Sequence, residues 1–300
     1  MRAGAVAELP AFVASSSRAR RHESLSIVDW PRGRQTERMK KIWFITGVSR
    51  GFGQALATAV RAAGDEVIGT TRSGGDWRLD VTDRAQVFDV VARAHAVHGR
   101  LDVIVNNAGY GLLGAVEEID EAAARAVMDT NFFGALWVTQ AALPFLRAQK
   151  SGHIVNITSI AGVAASPAGG LYAASKFALE GMTMSLALET KPLGIHVTLV
   201  EPGLFRTEFL SDRSVRTNTP TIPDYAETAG ASIARLGSVA GKQPGSPEKA
   251  AAAIVKVVAA EQPPLHLLLG SDALRRTRET HAAFAADIAA WEATTTGTDF

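Results

Sequence analysis

Tyr172 and Lys176 stand four residues apart in Tyr-Ala-Ala-Ser-Lys, with Ser159 upstream of both. On a helix, positions i and i+4 share one face about 6 Å apart along the axis, so the ammonium of Lys176 can lie near the phenol of Tyr172. The three side chains offer an acid, a cation to tune it and a second hydroxyl donor, which together suit reduction of a carbonyl. A free phenol titrates near 10, and bringing it to about 7 requires roughly 4 kcal/mol of preference for the phenolate. At about 5 Å and an effective dielectric of about 20, one lysine charge contributes on the order of 3 kcal/mol. Alone the pair is weak, because a surface tyrosine with a nearby lysine is ordinarily a packing contact.

The segments around the trio strengthen the reading. Ile42 to Thr46 is an apolar, β-rich run that enters the turn Gly47-Val48-Ser49-Arg50-Gly51-Phe52-Gly53 before a helical stretch, Gln54 to Ala63. Glycines at Gly47, Gly51 and Gly53 let the backbone turn tightly and approach a pyrophosphate, whose charge is favoured by the amides at a helix start. Gly152 to Thr158 reads as a buried strand with Ser159 at its C-terminal end, where open α/β sheets place their ligands. Tyr172 opens a helix running to about Thr190, which Pro192 stops. Further strands are expected at Glu66 to Thr70, Trp77 to Val81, Leu101 to Val105, Ile195 to Val200 and Leu265 to Leu269. Helices are expected at Pro247 to Ala260 and Ala273 to Ala290. The fold class this implies is α/β: one Rossmann-fold domain over residues 39–300, its parallel sheet doubly wound with helices on both faces. Between the second and third of these strands only Arg72 to Asp76 remain, whereas a parallel crossover usually takes about a dozen residues or more. Five extended residues reach about 17 Å, so a bare extended loop is expected there, leaving an adenine pocket open on one side.

Composition excludes several alternatives. The formal charge is +1, which gives no reason to expect a nucleic-acid partner. There is no cysteine, so disulfides, thiolate metal sites and a cysteine nucleophile are ruled out, and the seven histidines show no metal-ligand spacing. No metal is expected. No apolar run approaches the 18 or so residues of a membrane span, so no membrane partner and a cytoplasmic location are expected. Residues 1–38 differ from the rest, with seven arginines against four acidic residues. They read as a disordered leader or a start-site artefact, with Met39-Lys40-Lys41 as the true beginning.

Several motifs in order resemble the short-chain dehydrogenase/reductase family, in its compact single-domain branch. They are Thr-Gly-x-x-x-Gly-x-Gly from Thr46, Asn106-Asn107-Ala108-Gly109, Asn131 after Met128-Asp129-Thr130, Ser159, Tyr-x-x-x-Lys and Pro202-Gly203. The resemblance covers roughly residues 40 to 270. It implies that Tyr172 donates a proton to the substrate oxygen and Ser159 hydrogen-bonds the same oxygen. Lys176 would bind the nicotinamide ribose and lower the Tyr172 pKa, and Asn131 would hold a water linking Lys176 to solvent. It also implies cofactor contacts at Asn107, Ala108, Gly109, Pro202, Gly203 and Thr207, and at Asp80 and Val81 in the Leu-Asp-Val segment. Homodimers or homotetramers are common in such relatives, and the apolar face of Phe177 to Leu188 permits one here.

Charge addresses which nicotinamide is used. NAD-preferring Rossmann proteins end the second strand on a carboxylate that takes the ribose 2′-hydroxyl. Here that position reads Thr71-Arg72, and Arg72 with Arg50 can meet a 2′-phosphate, so NADP(H) is preferred and NAD(H) is the alternative. Residues 204–241, with Phe205, Phe209, Leu210, Ile222 and Tyr225 among polar residues, are expected to form a substrate lid. The function expected is NADP(H)-dependent interconversion of a small-molecule ketone or aldehyde with its alcohol. A catalytically silent NADP(H)-sensing regulator is the alternative.

Overall fold

The computed structural model describes residues 39–211 and 214–300, so the leader and the start-site expectation lie outside the described residues. Five consecutive buried residues make β1 (Ile42–Thr46), and the alternation of a strand divides them between two cores. Ile42 and Phe44 join Val87, Val91, Val138 and Leu146, while Trp43 and Ile45 join Leu56, Val60, Ala251 and Ile254. A strand covered on both faces reads as one continuous apolar run, as β1 does.

The strands that follow are β2 (Glu66–Thr70), β3 (Val103–Asn106), β4 (Gly111–Leu113), β5 (Gly152–Ile157), β6 (Ile195–Pro202), β7 (Val215–Thr217) and β8 (His266–Leu269). Among the described residues, strands β4 and β7 pair only with each other, and the other six form one sheet in the order β2-β1-β3-β5-β6-β8. Every pair is parallel. The helices are α1 (Gly51–Ala62), α2 (Arg84–His98), α3 (Glu121–Met128), α4 (Gly134–Gln149), α5 (Gly170–Thr190), α6 (Ala231–Ser238), α7 (Pro247–Val258) and α8 (Ser271–Thr296). One core lies under α1 and α7 and the other under α2 and α4, the doubly wound Rossmann arrangement expected. Among the described residues no helix is long and apolar enough to cross a membrane.

The expected third strand, Trp77 to Val81, is not a strand. It makes a single bridge, Thr71 to Arg78. The preceding loop is bent rather than extended: Gly74 and Gly75 take φ of +84° and +79°, and the chain doubles back so that Thr71 N donates to Trp77 O and Leu79 N to Thr71 O. Leu79 and Val81 still enter the core. Helix α1 starts at Gly51, so two glycines of the turn lie inside its first turn.

Candidate active site

The turn after β1 needs glycine for two different reasons. Gly47 and Gly51 hold φ of +73° and +59°, and a Cβ on Gly53 would fall 2.2 Å from the Gly47 carbonyl oxygen. No side chain caps the first amides of α1, which with the helix dipole leaves them suited to a phosphate. Asn107 braces the turn, its Nδ2 donating to the carbonyls of Thr46 and Gly47 at 2.9 Å each. Thr46 Oγ1 in return accepts from the amides of Asn107 and Ala108. This lock joins the ends of β1 and β3, where the chain switches from one side of β1 to the other. One residue earlier, Asn106 Nδ2 donates to Thr139 Oγ1 and to Asn156 Oδ1, tying β3 to α4 and β5.

Asn131 lies in a π-helical turn, Asp129–Phe133, between α3 and α4. Such wide turns recur at functional sites because they re-aim a side chain. Its Oδ1 accepts from Tyr110 N at 3.0 Å, and its Nδ2 donates to Tyr110 O and to Ser175 Oγ. Ser175 Oγ donates to Tyr172 O, so Asn131 grips the helix that carries Tyr172. Gly109 separates Asn131 from Lys176, since a Cβ there would lie 2.9 Å from Asn131 Oδ1 and 3.7 Å from Lys176 Nζ. Tyr110 and Ser175 were not singled out from the sequence. Ser175 sits inside Tyr-Ala-Ala-Ser-Lys, but nothing in that spacing points to Asn131.

Ser159 follows β5, and its Oγ accepts from Ala161 N at 3.1 Å. It also hydrogen-bonds Tyr172 from the opposite element. Lys176 Nζ donates to Ile157 O at 2.9 Å and lies 5.9 Å from the centre of the Tyr172 ring. Ser159, Tyr172, Lys176 and Asn131 are thus brought together. The expected tuning differs, because burial pushes the Tyr172 phenol up to about 12, against which the Ser159 hydrogen bond acts. Burial sets the direction of the shift, and the phenol keeps its proton at neutral pH. Burial likewise lowers Lys176 to about 8, with Glu180 acting to raise it.

The cofactor positions divide into two groups. Thr207 lies over Gly51, and Gly203 packs so closely on Asp272 that a Cβ would meet its Oδ1 at 2.2 Å. Arg50 Nε donates to Ser214 Oγ, toward the lid. Arg72 is exposed, and Asp80 Oδ1 accepts from Thr82 N and Oγ1 within its own loop, next to the buried Val81. Ser49 and Phe52 line the turn, with Phe52 edge-on to Phe205 at 5.1 Å.

Residues 204–241, expected to form a lid, are anchored at several points. β7 pairs with β4 just past Tyr110, Phe209 lies 5.9 Å from the Tyr172 ring, and Arg216 stacks over Tyr110. Glu118 accepts from Thr221 N, Thr221 Oγ1 and Ile222 N, and Tyr225 donates to Glu117. A groove of about 750 Å³ beside α1 adjoins Arg50, Gly51 and Thr207 but does not reach Ser159 or Tyr172.

A family model described as short chain dehydrogenase matches residues 41–219. The chain belongs to that family. This short-chain dehydrogenase is 38% identical over 269 residues to oxidoreductase BOA17 of Botryotinia fuckeliana, covering 84% of this chain and 97% of the relative. It is 40% identical to the 3-ketodihydrosphingosine reductase of Bacteroides thetaiotaomicron over 77% of this chain and 88% of that one. A solved short-chain dehydrogenase from Streptomyces avermitilis matches with a TM-score of 0.82 at 39% identity, over 87% of this chain and all of that one. Structures of the same fold contain either nicotinamide. ElxO with NADP bound matches at TM-score 0.66 and 26% identity, over 79% of this chain and 100% of that one. A Burkholderia phymatum member in complex with NAD matches at 0.68 and 23%, over 83% and 95%. The protein is therefore an oxidoreductase of a family whose members act on CH–OH groups with NADP or NAD.

Proposed function

We propose that this dehydrogenase interconverts a ketone or aldehyde and its alcohol with NADP(H), using Tyr172 as the general acid and base. The observation that carries the reading is the convergence of Ser159 and Tyr172 on one point, with Lys176 behind them. The positive-φ glycines, the uncapped start of α1 and the narrow approach past Gly109 fit a dinucleotide.

A bound nicotinamide supplies the hydride. The protein's own part is to hold the carbonyl oxygen between Ser159 Oγ and the Tyr172 hydroxyl and to deliver the Tyr172 proton as charge develops on that oxygen. A phenol that titrates near 12 arrives at this step protonated, which suits the direction of reduction. Loss of that proton leaves a phenolate, which the nearby Lys176 ammonium favours. Asn131 fixes the backbone of Tyr110 and, through Ser175, the start of α5. On this reading Asn131 also holds the water that links Lys176 to solvent.

Arg72 supports NADP(H) over NAD(H), because an exposed guanidinium at the end of β2 stands where an acidic residue would take a ribose hydroxyl. The substrate is a moderately apolar carbonyl compound, for which Phe209 over Tyr172 provides the apolar wall. The ketone in the name of the Bacteroides relative's activity is in keeping with this. Phe177, Met184 and Leu188 are exposed along α5, a surface suited to pairing with a second copy. Screening a ketone and aldehyde panel while following NADPH absorbance tests the reading. Turnover abolished in Tyr172→Phe is expected, and binding of NADPH without turnover on any carbonyl would favour the silent-sensor alternative.

A further inference from the structure

One turn beyond Lys176, the buried carboxyl of Glu180 has no catalytic assignment. Its Oε1 has no hydrogen-bond partner, and a Cβ on Gly162 would lie 3.2 Å both from that oxygen and from Lys176 Cβ, so the carboxyl runs alongside the lysine stem. The groups facing Glu180 are Lys176 on its own helix, the Thr158 hydroxyl just after β5, Glu201 from β6 and His266 from β8. Glu201 is 1% exposed, whereas His266 stands half-exposed at the β8 edge of the sheet with Nδ1 2.6 Å from Glu201 Oε1. One donor atom from each of Glu180, Glu201 and His266 lies within 4.8 Å of the others.

Two buried carboxyls this close cannot both stay ionised without a proton or a cation between them. The distances favour the proton. Two ligands on a tetrahedral zinc stand roughly 3.3 Å apart, given metal–ligand bonds of about 2.0 Å, and the His266–Glu201 contact is a hydrogen-bond length well inside that.

We propose that Glu180 is a positioning residue for Lys176, joined through Glu201 and His266 to solvent at the sheet edge, and that Glu180 takes up and releases a proton to hold the charge on the lysine. The proposal rests on the catalytic reading above. Burial raises Glu180 to about 7 and lowers Lys176 to about 8. An ionised Glu180 beside Lys176 favours the charged lysine. Without it, the lysine discharges at lower pH.

The test is the pH profile of Glu180→Gln, which keeps the side-chain shape and removes the charge. In carbonyl reduction, its alkaline limb of kcat should move toward acid by about one pH unit, and His266→Asn should move it the same way by less. In the protein without cofactor, stability carried by the protonated Glu180 is present below its unfolded pKa of 4.5 and is lost as pH rises toward 7. The fall in Tm of the wild type across that window should flatten in Glu180→Gln. A purely structural role would lower activity or Tm at every pH without changing either profile. If Glu180→Gln does not fold, an unmoved limb in His266→Asn overturns the proposal, as does an unmoved limb in a folded Glu180→Gln. If no carbonyl is turned over by the wild type, the catalytic reading fails, and the Tm profile alone decides whether Glu180 carries the proton. A Tm increase on adding zinc chloride that is absent in His266→Asn would identify a cation site and overturn the proton reading.

Discussion

The two ends of the cofactor cleft are built differently. Around Tyr172 the side chains are held by fixed partners. Asn107 locks Thr46 and Gly47, Asn131 holds Tyr110 and Ser175, and Lys176 is buried against the Ile157 carbonyl. At the adenosine end, β2 leads into the exposed run from Arg72 to Asp76, which bends back on Thr71 through two hydrogen bonds with no helix above it. Reaction chemistry needs atoms held to a fraction of an ångström, whereas recognition of a phosphate needs mainly a cation within reach. On the proposed function, the rigid end would set what reaction is done, and the loose end which nicotinamide is preferred.

The largest effect should come from the rigid end. Tyr172→Phe removes the proton donor and its partner for Ser159 while leaving the ring against Phe209, and kcat should fall by about 10²- to 10⁴-fold with little change in NADPH affinity. A loss confined to KM would show that Tyr172 only positions substrate. At the loose end, Arg72→Ala should weaken NADPH by about tenfold, the loss of one charge-assisted contact, while leaving NADH nearly unchanged. Equal effects on both cofactors, read by titrating each against protein fluorescence, would remove the contrast between the ends. The smallest effect belongs to the lid anchor. Glu118→Ala deprives three lid donors of their acceptor and should raise KM by about threefold to tenfold with kcat nearly constant.

The rigid end was also the more legible in sequence. Glycine turns, the Asn106-Asn107 pair and Tyr-x-x-x-Lys are short-range patterns whose chemistry fixes their spacing; Gly47 meets Asn107, and Ser159 meets Tyr172 beside Lys176. The strand expected at Trp77 to Val81 does not form, because Gly74 and Gly75 take positive φ and turn the chain back before it can extend. The direction of the Tyr172 shift failed for a different reason. Spacing reveals the neighbouring lysine but not the burial that raises the phenol. Glu180, Glu201 and His266 were invisible as a group, because they are brought together only by the parallel packing of β6 and β8 under α5.

The central claim is that Tyr172 protonates a carbonyl oxygen while hydride reaches its carbon. Incubating wild type and Tyr172→Phe with 4-deuterated NADPH and a ketone panel, then analysing the alcohols by mass spectrometry, tests it most directly. The account predicts deuterium at the carbinol carbon with wild type and a rate lower by about 10²-fold or more with the variant. NADPH binding with no labelled alcohol from any ketone, or equal labelling rates in both proteins, would contradict it.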